Sequence, residues 1–121
     1  MRPWSDRPFL NEGAGLVMFA LEKPRLFALI FLDPDSARAS VPQVYRDLLK
    51  DMKGDERFAK LGARQRDMVL EKLWFMALGM ATLAHAGQLR NPTPHGIVES
   101  LLEAGAVLIP DALRRLAAAA R

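Results

Sequence analysis

The chain has 121 residues, half of them hydrophobic and 26% charged, and it contains no cysteine. That length suits one packed domain and is short for two, the balance is globular rather than disordered, and the missing thiols exclude disulfides and thiolate zinc sites. The 17 Lys and Arg are scattered among 14 acids with no block of like charge, so the net charge of +3 describes a solvated surface rather than a nucleic-acid-binding stripe.

Residues 1 to 11 (MRPWSDRPFLN) carry charges on both sides of no sustained apolar core, so a secretory leader is not expected and a cytoplasmic address is. Pro8 suits the first turn of a helix, where its missing N–H costs nothing. Leu10, Ala14, Val17, Met18 and Leu21 then recur at helical spacing up to Glu22. Pro24 turns Lys23 away from helical angles and starts a second helix with Leu26, Phe27, Ile30 and Phe31. Glu22, Lys23 and Arg25 fall at the solvated corner between them.

The DPDS run, residues 33 to 36, supplies turn and capping groups. The next helix is expected to start near Val41 and Pro42, to carry Val44, Tyr45, Leu48, Leu49 and Met52, and to end at Lys53-Gly54-Asp55. Phe58 and Leu61 fall in a short helical or turn segment. A long helix follows from about residue 63 to 86, ended by Gly87. Asn91, Pro92 and Pro94 break it from a final helical region with Ile97, Val98, Leu101 and Leu102 on one side, which Pro110 is expected to kink or divide. No segment alternates with period two. The expected fold is all-α, with five or six helices forming one domain over residues 1–121.

Residues 73 to 84 (LWFMALGMATLA) are apolar on every face. The block is shorter than the roughly 20 residues of a membrane span, so no membrane partner is expected. A helix apolar all round must be covered on all sides, which points to a second copy of the chain. Ala77, Ala81 and Ala84, with Leu78 and His85, are expected at that contact, joined by Ile97 and Leu101 of the final helix in a four-helix dimer bundle.

Two segments together resemble a known family. GLVMFALEKPRLFALIF, residues 15 to 31, resembles a segment of the effector domains of TetR-type transcriptional regulators at Phe19, Ala20, Glu22, Pro24, Leu26, Phe27, Leu29 and Phe31. Trp74, Gly79 and Leu83 match the Trp…His-Gly…Leu pattern on the long dimerisation helix of one branch of that family, with Leu78 at the histidine position. The likeness covers roughly residues 13 to 105. It implies an all-helical domain that takes a small, often apolar effector into a pocket among its helices and homodimerises through its last two long helices. It also implies that DNA is bound only through a helix-turn-helix domain, which nothing before residue 13 is long enough to form.

On this basis Phe19, Phe27, Phe31, Tyr45, Trp74 and Met76 are expected to line the effector site, with the Tyr45 hydroxyl or the Trp74 N–H orienting the ligand. Other chemistry has little support. His95 and Glu99 share a helix face and His85 could approach them, yet no HExxH or DxD run completes a metal set. The hydroxyls of Ser5, Ser36, Ser40, Ser100, Thr82, Thr93 and Tyr45 lie in no nucleophile elbow. The glycines of EGAG, residues 12 to 15, follow no strand and precede no P-loop lysine. Neither a metal, a cofactor nor an enzymatic activity is expected. The alternative reading is a standalone helical protein-interaction module without a ligand pocket.

Overall fold

The computed structural model describes residues 8–119. Ser5 and most of the segment read for a leader lie outside the described residues.

Helix α1 (Pro8–Glu22) opens on its proline. Asn11, Ala14, Val17 and Ala20, spaced three apart, form its buried stripe. It stops where Lys23 leaves helical angles (φ −133°, ψ 66°) ahead of Pro24, because a proline ring crowds the helical conformation of the residue before it. The corner leads into α2 (Pro24–Phe27), which widens at once into a π-helical turn, Ala28–Leu32. The Asp33 N–H closes that turn on the Ala28 carbonyl at 2.8 Å.

Asp33 is the true start signal of α3 (Pro34–Lys53): its carboxylate accepts the Ser36 N–H at 3.0 Å, and Pro34 occupies the first turn. The expected start near Val41 and Pro42 is therefore corrected by about two turns. Pro42 is carried inside the helix. The hydrogen bond it cannot make frees the carbonyl four residues back, and both Arg38 and Pro42 are exposed, so water can satisfy that group.

Turns over residues 54 to 61 bury Phe58 and lead to α4 (Ala63–His85). The Gln65 side chain accepts the Gly62 N–H at 2.9 Å at its start. At its end Gly87 adopts φ +70°, a left-handed conformation that glycine reaches without a Cβ clash, and the Gln88 N–H returns to the Leu83 carbonyl at 2.8 Å. Helix α5 (Pro94–Ala119) is capped by Thr93, whose hydroxyl accepts the Gly96 N–H at 3.1 Å. Gly96 is required here, since a Cβ would stand 2.9 Å from the Asn91 carbonyl oxygen. Pro110 does not divide this helix. Its freed carbonyl partner, Ala106, is exposed like Pro110 itself.

The fold is all-α, with no strand among the described residues. Helices α4 and α5 pack antiparallel and α1 lies across both. Two apolar clusters result. One joins Ala14, Val17 and Ala20 of α1 and Phe27 to Ala77, Ala81, Ala84 and the start of α5. The other joins Met52 and Phe58 to Val69, Leu70 and Ala112.

Candidate functional site

Between the two clusters lies a cavity of about 900 Å³. The first cluster contributes Ala77 and Leu101 to its wall, and the second contributes Phe58 and Leu70. Glycines make part of the room: Gly13 and Gly15 on α1 and Gly105 on α5 face the space without side chains. The EGAG motif thus shapes a pocket, in a helix rather than in a phosphate loop.

Of the six side chains expected at an effector site, Phe19, Phe31, Trp74 and Met76 line the cavity. Phe27 does not. It is fully buried behind the wall, 5.3 Å from the Phe31 ring and edge-on to Phe19 at 6.4 Å, where it holds both in place. Tyr45 also stands outside, with its ring edge-on to Trp74 at 6.2 Å. Its hydroxyl donates to the Asp67 carboxylate at 3.2 Å, and burial together with that neighbouring charge pushes its pKa up to about 12. Tyr45 therefore braces Trp74 from outside the cavity wall.

The polar group of the site is one that sequence reasoning missed. Glu12 lines the cavity beside Asp47, and Asp51 stands within hydrogen-bonding reach. Burial first, then the hydrogen bond to Asp51 and the charges of Asp51 and Asp47, push the Glu12 pKa up to about 8. Its Oε2 is enclosed without a hydrogen-bond partner. Arg57 also reaches the cavity, but its charge is held by Asp55 at 3.3 Å and lies over the Phe58 ring at 5.1 Å.

The residues expected at a dimer contact are placed differently. Ala77, Ala81, Ala84, Ile97 and Leu101 are buried inside the single chain, leaving no surface for another copy to cover. The small side chains of α4 allow the close approach of α1, whose own stripe is Ala14, Val17 and Ala20. Leu78 is half-buried against the same core, and His85 stacks on Phe27 at 5.6 Å with its Nδ1 enclosed. The exposed side of α4 instead carries Phe75 (62% exposed), Gly79 and Leu83 (50%), and α5 exposes Val107 (68%). His95 and Glu99 meet at 3.7 Å on the surface. No group of three metal-ligating side chains occurs among the described residues, and no described helix is long and apolar enough to cross a membrane.

A family model described as the tetracyclin repressor-like C-terminal domain matches residues 10–107. That stretch holds the cavity lining except Ile109 and Pro110. No curated protein and no solved structure matches the chain.

Proposed function

Because the chain belongs to the tetracyclin repressor-like C-terminal domain family, we propose that it is the effector-binding and dimerisation domain of a transcriptional regulator. The observation that carries this reading is the cavity of about 900 Å³ walled by Phe19, Phe31, Trp74 and Met76, a size and lining suited to a small, largely apolar molecule. The ligand enters between α1, α3, α4 and α5 and is covered on its apolar faces by these rings.

Dimerisation uses the outer face of α4 and the adjoining side of α5. Lys72, Phe75 and Gly79 share one face of α4, and Val107 and Asp111 one face of α5. The two faces adjoin: the Asp111 carboxyl is held below its usual range by Arg115 and, more weakly, by Arg114 and Lys72 across the helix pair. Phe75, Leu83 and Val107 give this surface the exposed apolar area that a second copy would remove from water.

A ligand that binds only the folded state must raise its stability. A thermal-shift series with small apolar compounds should therefore give saturable stabilisation. A second reading, a helical interaction module without a ligand, is favoured by the exposed Leu26, Leu29 and Leu32 after the Pro24 corner. Absence of stabilisation by any compound, with a protein partner bound instead, would select it.

A further inference from the structure

A glycine inside a helix weakens it relative to alanine, so one that no backbone need explains calls for another reason. Two such glycines face the effector cavity, Gly13 within α1 and Gly105 within α5. Gly87 and Gly96 are different: the first takes the left-handed conformation, and the second has a backbone oxygen where a Cβ would stand. Neither reason applies to Gly13 or Gly105. Among the described residues only Gly87 has a positive φ. A Cβ at Gly13 would meet the Leu101 Cδ1 at 3.5 Å, and one at Gly105 the Ile109 Cδ1 at 3.8 Å, both ordinary contact distances with the ends of flexible side chains. Alanine would therefore fit at both positions and strengthen both helices. What either methyl would take is room in the cavity.

Resting on the effector-site reading, we propose that Gly13 and Gly105 set the width of the site, and that the effector is a neutral apolar molecule of two or more rings lying against the bare helix backbone at these positions. The two glycines belong to one part of the wall: Leu101, beside Gly13, stands one helical turn before Gly105 on the same face of α5. A ring can approach the backbone there more closely than at any residue that carries a side chain. The cavity, at about 900 Å³, is near the upper end of the roughly 300–1,000 Å³ of small-molecule sites. A single hydrocarbon chain would leave part of that space empty and forfeit the contacts of its lining. Charge selects no ion, because Lys23 and Arg57 reach the wall as well as Glu12, Glu22 and Asp47.

The test compares two neutral probes, the multi-ring dye N-phenyl-1-naphthylamine followed by fluorescence and the slender chain octanol followed by calorimetry, on the wild-type chain and its variants. The wild type should bind both saturably and the dye more tightly. Gly105→Leu, with unchanged helical circular dichroism, should weaken the dye by about tenfold or more and octanol by no more than about twofold, since only the wider ligand needs the space the leucine fills. Gly13→Ala and Gly105→Ala, smaller steps, should each weaken the dye about threefold and raise the melting temperature of the free chain by about 4 °C. Dye affinity unchanged in all three variants, octanol losing as much as the dye, or octanol bound by the wild type without the dye would each overturn the width assignment and leave the effector site standing. A lower melting temperature in both alanine variants would also overturn it, by showing that packing requires the glycines. Failure of the wild type to bind either probe would overturn the effector site itself.

Discussion

The two sides of α4 are both apolar, yet they do opposite things. Its inner side presents Ala77, Ala81 and Ala84, all nearly devoid of solvent contact because α1 lies directly on them. Its outer side presents Phe75 and Leu83, each at least half exposed, around a Gly79 at which an added methyl would meet no atom within 4 Å. Small side chains mark where the chain packs on itself. Large ones mark the surface left for something else, so the cost of a substitution on this helix depends on which side it touches.

Placing charge on the outer side should have the largest effect. Phe75→Glu combined with Leu83→Glu should weaken self-association by about 3 kcal/mol, as expected when central apolar anchors of an interface are lost, and leave a 13.5 kDa monomer in sedimentation velocity with unchanged helical circular dichroism. Dimerisation of the double variant at wild-type strength would remove this face from the interface.

Adding bulk on the inner side comes next. Ala81→Leu should cost about 2 kcal/mol of folding stability in urea, because a fully buried alanine against α1 has no room for three more carbons. An unchanged midpoint would mean that the α1–α4 seam is loose.

Glu12 separates the cavity from both sides of the helix. In the unfolded chain it ionises near 4.5, whereas the fold keeps it protonated up to about 8. The folded form is therefore penalised increasingly as pH rises from about 4.5 to 8, and the penalty is constant above that. Glu12→Gln should stabilise the protein by about 1.5 kcal/mol at pH 8, a value discounted for solvent at this partly open site, and hardly at all at pH 4.5. Equal effects at both values would show that the proton is not held. The smallest change is at the entry to α5: Thr93→Ala removes the acceptor for the Gly96 N–H and should cost about 1 kcal/mol by chemical denaturation.

Much of this architecture is legible in the sequence because its punctuation is local. Pro8, Pro24 and Gly87 act within one turn of where they stand, and the bounds of α1 and the end of α4 follow from them. The start of α3 is misjudged because Pro42 resembles a first-turn proline, and whether a helix can carry a proline depends on solvent reaching the freed carbonyl, which is a property of the fold. The aromatic wall is partly legible: Phe19, Phe31, Trp74 and Met76 line the cavity, but aromatic character alone does not separate them from Phe27 behind it or Tyr45 beside it. The alanines of α4 announce a close approach without saying by which helix. Glu12 is the least legible, since a carboxyl in the first turns of an amphipathic helix looks solvated until α3 brings Asp47 and Asp51 to it.

The central claim, that the space between the two clusters is a ligand site, is tested most directly by methyl NMR of the chain labelled at methionine, titrated with octanol. Met18 and Met76 line the cavity, whereas Met68 lies on α4 outside it. The account predicts saturable shifts at Met18 and Met76 with Met68 unmoved. Shifts confined to Met68, or none at any methionine, would contradict it.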